Sequence, residues 1–178
     1  MSSPQTFYCI ALLAPQSVNI PVLRLKALYA AQGPIPAPLD TIIPLHCTNT
    51  QPPPPVPGLL PRCDTPIQLS SALHRSGNWI IQQAEPQEWF AELKSFFTTD
   101  TVSRLPENLF PLGEGIPLAV SESASPLLSD IEVPSWRALQ LICYEISYSA
   151  RHPWYLSLYW RLLWRRRLRQ APRTFQDN

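Results

Sequence analysis

The sequence predicts a small α/β or α+β fold: a sheet of about four short strands packed with helices, ending in a C-terminal helical hairpin. Three observations predict it. The chain has 178 residues, 45% of them hydrophobic, which suffices for one domain with a real core. Strand-length apolar runs alternate with helically spaced stripes as far as residue 121, and helical spacing takes over afterwards. Finally, 22 prolines against 5 glycines cut the body into short elements with few positions that demand a positive φ.

Phe7 to Leu13 is an apolar run closed by Ala14-Pro15 and reads as a buried first strand. Asn19 is a candidate helix cap, with Pro21 early in the helix, Leu23, Ala27, Leu28 and Ala31 on its buried face, and Gly33 ending it. Asp40 to Cys47 is a second candidate strand, and because Pro44 donates nothing to a ladder it either belongs at an edge or ends early. The stretch QPPPPVPGLLP, Gln51 to Pro61, favours an extended polyproline conformation and reads as a stiff surface connection or a docking segment.

Thr65, Pro66 and Gln68 predict a helix start, with Leu69, Ala72 and Leu73 buried and Gly77 as the stop. Asn78 to Gln83 is a third strand. Pro86 opens a helix whose Trp89, Phe90, Leu93, Phe96 and Phe97 make one wide apolar stripe, with Glu88 and Glu92 on its solvent side. Residues 98–115 read as loop, Ile116 to Ser121 as a fourth strand, and Ser125-Pro126 as a short helical turn. Trp136 to Arg151 carries Leu139, Ile142, Cys143 and Ile146 at helical spacing, and a further helix follows His152-Pro153. The expected domain organisation is an acidic body over residues 1–133, a helical hairpin with a basic end over 134–170, and a tail over 171–178.

The net charge of +1 conceals an asymmetry. Residues 1–150 hold seven Lys and Arg against twelve Asp and Glu, while residues 151–178 hold seven Arg against Asp177 alone. The segment PWYLSLYWRLLWRRRLR, Pro153 to Arg169, contains five arginines and no acid. As a helix it aligns Ser157, Arg161, Arg165 and Arg169 in one polar stripe, widened by Arg166 and Arg167, with Trp164 on the apolar remainder. Arg outnumbers Lys twelve to two, which suits bidentate recognition of phosphate or carboxylate.

The four cysteines lack any C-x-x-C pair and read as reduced thiols in a cytoplasmic protein, with Cys9 and Cys143 in the core. No structural metal or cofactor is expected. No apolar stretch reaches the roughly 18 residues of a membrane span, and the phosphate-cradling signatures G-x-x-x-x-G-K-[ST] and G-x-G-x-x-G are missing, as is the nucleophile motif G-x-S-x-G.

His46-Cys47-Thr48 and His74-Arg75-Ser76 are both H-x-[ST]. Together with FYCIALLAPQ followed by a helix, they resemble the two-histidine phosphoesterases, the family of RNA 2′,3′-cyclic phosphodiesterases, over about the first quarter of the chain. The resemblance implies that His46, Thr48, His74 and Ser76 form a catalytic set, with two imidazoles on facing strands acting as general base and general acid at one phosphate. The predicted helix from Thr65 places His74 off any strand, and only 28 residues separate it from His46. The leading expectation is therefore a non-enzymatic accessory or assembly subunit. It would bind a larger protein complex, such as a ribonucleoprotein, through Arg161, Trp164, Arg165, Arg166, Arg167 and Arg169, with nucleic-acid backbone or an anionic membrane surface as alternative partners. The RNA-end phosphodiesterase and a peripheral membrane protein are the alternatives.

Overall fold

The computed structural model describes residues 5–56, 58–62, 66–97, 110–122, 131–138, 140–149 and 158–168. In chain order the elements are β1 (Gln5–Leu13), α1 (Gln16–Ala31), β2 (Ile35–Pro36), β3 (Ile42–Thr48), β4 (Gln68–Ser76), β5 (Trp79–Glu85), α2 (Gln87–Phe97), β6 (Gly115–Val120), β7 (Gln140–Tyr148) and β8 (Tyr159–Arg167). The strands form two four-stranded sheets, ordered β3-β1-β7-β8 and β2-β6-β5-β4. All their pairings are antiparallel.

The two sheets meet where β3 passes beside β6, with the Gly113 N–H donating to the Pro44 carbonyl at 2.6 Å. The helices cross over: α1 packs on β2 and β6, and α2 packs on β3.

β1 is an unbroken apolar run because both its faces are covered. Phe7, Cys9 and Ala11 enter one hydrophobic cluster, and Ile10 and Leu12 another. Pro44 lies in β3, an edge strand, as its missing N–H requires. α1 starts earlier than the cap at Asn19 suggests: Pro15 holds the N-cap position, and Asn19, inside the helix, accepts from the Thr41 hydroxyl. The buried stripe is Val18, Val22, Leu25 and Tyr29, whereas Leu23 and Leu28 are 52% and 45% exposed. The helix offers two apolar stripes of similar spacing, and the long-range contacts of β2 and β6 select between them. In α2 the expected residues Trp89, Phe90 and Leu93 are buried, and Glu88 and Glu92 face solvent.

The predicted small helix-packed sheet with a C-terminal helical hairpin is not the fold, which is mostly β with two helices among the described residues. Three predicted helices are strands. The segment after Thr65 is β4, with Ile67 bridged to Trp136. The segment from Trp136 contains β7, and the arginine-rich segment contains β8. In β7, Ile142, Tyr144, Ile146 and Tyr148 alternate on one face while Leu141 and Cys143 enter the cluster on the other. The stripe read as helical is thus a subset of a run that is apolar on both sides, which a doubly covered strand accommodates. β4 and β8 each carry a register shift, between Leu69 and Leu73 and between Trp164 and Leu162. Such a bulge stretches a two-residue alternation into spacing that resembles a helix. The turn at Ser125-Pro126, the helix start at Thr65 and the tail lie outside the described residues. No described helix is long and apolar enough to cross a membrane.

β6 is buried at every position, and at Gly115 it lies tight against the backbone of β5. A Cβ there would meet the Gln82 carbonyl oxygen and stand 2.8 Å from Gln82 C and 2.9 Å from Gln83 Cα, all backbone atoms that cannot swing aside. Gly115→Ala is expected to lower stability by about 1–3 kcal/mol through overpacking, measured as a fall in thermal midpoint of about 2–4 °C per kcal/mol.

Candidate functional site

Strand β3 brings His46 and Thr48 to one face because they are two residues apart. Register places His46 opposite Ile10 and Thr48 opposite Tyr8. Cys47 turns to the other face, opposite Cys9, where both thiols are buried and the hydrogen bond with Cys47, together with burial, pushes the Cys9 thiol well above its usual range. His46 and Thr48 are half-buried and open together into a cavity of about 430 Å³.

Opposite walls of that cavity come from distant parts of the chain. One is the extended run Gln51 to Val56 with Leu59, and the other is the end of α2, where Phe96 and Phe97 meet edge to face with ring centroids 5.2 Å apart. Phe96 is 38% exposed, unusual for the end of an otherwise buried stripe. The proline wall is fastened by the Trp164 indole N–H, which donates to the Pro52 carbonyl at 3.1 Å. Trp164→Phe removes that bond, and a loss of about 0.5–1.5 kcal/mol is expected in denaturant unfolding, together with weaker occupancy of the cavity.

Burial lowers the pKa of His46 from its ordinary value, because the imidazolium loses hydration there. The imidazole is therefore neutral at neutral pH and able to accept a proton. The Thr50 N–H donates to Thr48 Oγ1 at 3.2 Å, which leaves the Thr48 hydroxyl proton available to an acceptor in the cavity.

The other H-x-[ST] pair is on a strand after all, but not at this cavity. His74 and Ser76 lie on β4, the outer edge of the second sheet, separated from β6 by β5. There Glu114 collects both: the Ser76 hydroxyl donates to Oε1 at 3.1 Å, and His74 Nε2 stands 3.5 Å from Oε2. The strand that lies beside β3 is β6, whose sequence Gly-Ile-Pro-Leu-Ala-Val contains no titratable side chain. The expected four-residue catalytic set is thus split, with only His46 and Thr48 sharing a cavity.

The arginines sit on a strand, so they form no helical stripe. Arg161 makes a two-bonded pair with Glu145 at 2.9 and 3.1 Å. Arg165 and Arg167 are exposed, and Arg166 donates to the Arg165 carbonyl at 3.4 Å. Trp164 serves the proline wall, and Arg169 lies outside the described residues. Among the described residues no group of three or more His, Cys, Asp or Glu could hold a metal ion. The contribution of Phe96 and Phe97 to the cavity was not read from the sequence; their position at the end of the α2 stripe, just before a polar stretch of sequence, is the signal that could have found it.

No protein-family model and no curated protein matches the chain. Solved structures do resemble it. The structure of TT0787 from Thermus thermophilus superposes with a TM-score of 0.62 at 15% identity, covering 93% of this chain and 100% of that one. E. coli LigT complexed with NADP+ superposes at 0.59 and 14% identity, covering 93% and 99%. The apo form of LigT gives 0.52 at 14% identity, covering 95% and 100%. At such identities the likeness shows the fold alone, shared with TT0787 and LigT. The expectation of a non-enzymatic accessory subunit is thereby corrected. The basic amphipathic helix on which it rested is an edge strand, and the fold is the one seen in TT0787 and LigT.

Proposed function

We propose that the chain acts on phosphate-bearing RNA ends, hydrolysing 2′,3′-cyclic phosphodiesters with His46 as the proton-transfer group. The observation that carries this reading is the pairing of His46 and Thr48 on one face of β3, opening into an otherwise largely apolar cavity. The likeness to LigT, a protein crystallised with the phosphorylated dinucleotide NADP+, supports it.

The chemistry requires a water to attack phosphorus while one ester bond of the cyclic phosphate breaks. Neutral His46 accepts the proton of the attacking water, and the imidazolium so formed returns a proton to the departing ribose oxygen, leaving a phosphate monoester. The Thr48 hydroxyl donates to a phosphate oxygen as charge accumulates on it. In-line displacement favours separate groups on the two sides of phosphorus. The lack of a titratable side chain on β6 favours a second reading, phosphoester binding without turnover.

An oligonucleotide ending in a 2′,3′-cyclic phosphate separates these readings. Hydrolysis by the wild type that is lost in His46→Ala supports turnover. Binding without hydrolysis, weakened by His46→Ala, supports the second reading, and the absence of both contradicts each of them.

A further inference from the structure

A second cavity, of about 470 Å³, lies where the end of β1 and the start of α1 meet β7 and β8. Its polar lining is Arg137, Arg165, Gln140 and Gln16, and Leu13 to Pro15 form the apolar remainder. It is not the site of His46. The ladder His46, Ile10, Cys143, Trp164 runs straight across the first sheet, and Arg165, the next residue after Trp164, points to the opposite face. Arg165 pairs in register with Ile142, which belongs to the cluster on that face.

Two guanidinium groups that converge on one cavity repel each other unless an anion stands between them. Both arginines are exposed, and among the described residues neither has a carboxylate within ion-pair distance. The basic groups of the same strand are not equivalent, since Arg161 is already matched by Glu145. Asp40, on the same face as Arg165, accepts from the Tyr144 hydroxyl at 2.5 Å and is not part of the cavity lining. Among the described residues no carboxylate lines the cavity. Guanidinium groups bind the oxygens of phosphate in forked pairs, the Gln140 and Gln16 amides add neutral donors, and the volume falls within the range of small-molecule sites, about 300–1,000 Å³.

We infer that the cavity between Arg137 and Arg165 is a second anion site that takes the phosphate of a small phosphate monoester, independently of the His46 cavity. The apolar floor from Leu13 to Pro15 receives the organic part of the ester, so a mononucleotide binds more tightly than inorganic phosphate.

Isothermal titration of the full chain with adenosine monophosphate and, separately, with inorganic phosphate tests this, using Arg137→Gln, Arg165→Gln and the double variant. To keep the His46 cavity out of the reading, every titration is repeated in a His46→Ala background. Saturable binding of the mononucleotide is expected to persist in His46→Ala and to weaken at least tenfold in each arginine variant. Arg161→Gln, on the same strand, is expected to bind like the wild type. Affinity unchanged in the double variant, no binding in the His46→Ala background, or equal weakening by Arg161→Gln would overturn the inference. Because Arg137 and Arg165 are exposed, circular dichroism of the variants should match the wild type, which separates loss of the site from loss of the fold.

Discussion

Phe90→Ala is expected to destabilise the protein by about 3–5 kcal/mol, the usual range for emptying a large aromatic site in a core. Phe90 is fully buried in α2 and packs against Trp89 with ring centroids 5.3 Å apart. It belongs to the cluster that joins α1, α2 and both sheets, so the cavity left behind has walls on several elements that cannot all collapse inward. Denaturant unfolding reads the effect as a lower midpoint with an unchanged slope. The consequence reaches the His46 cavity because the last turn of α2 supplies Phe96 and Phe97 to its wall. A Phe90→Ala protein that keeps its midpoint would show that α2 is not held by this packing.

His46→Ala is expected to lower hydrolysis of a 2′,3′-cyclic phosphate by about 10²–10⁴-fold, the range contributed by a positioned general acid–base group. Thr48→Val is expected to cost less, because it removes one donor and leaves proton transfer intact. The pH dependence carries a sign. Burial favours the neutral imidazole, so the rate should hold through neutral pH and fall only below the ordinary histidine value of about 6.5. Stability follows the same linkage. With a lowered pKa in the folded state, the unfolded chain binds more protons as the solution is acidified, so stability falls as pH drops through the unfolded value. His46→Ala should flatten that acid slope in a series of unfolding curves.

The sequence made some of this architecture readable and concealed the rest for physical reasons. β1, β3, β5, β6 and α2 were legible because each has one dominant period or a run bounded by proline and glycine. Pro44 left β3 either at an edge or cut short, and it is at an edge. The three strands taken for helices failed differently. β7 is apolar on both faces, so a helical subset can be drawn through it, and only its alternating Ile and Tyr residues argue for a strand. β4 and β8 carry bulges, and a bulge is set by the partner strand, which a local reading does not see.

The site was half legible. His46 and Thr48 were singled out by spacing and do share a cavity. His74 and Ser76 share the spacing but stand on the far edge of the second sheet with Glu114. A tripeptide fixes which residues share a strand face, while the order of strands in two sheets decides which faces meet. Trp164 shows the same limit: its indole was grouped with the arginines beside it, yet its partner is Pro52, 112 residues away in the chain.

The measurement that bears most directly on the whole account is a nuclear magnetic resonance titration of the imidazole of His46 with adenosine 2′,3′-cyclic phosphate, its signal assigned by its loss in His46→Ala. A saturable shift of that resonance, with its pKa raised as the phosphate charge comes near, is the predicted result. A ligand that perturbs other resonances of the protein while leaving the His46 signal and its titration unmoved would contradict it.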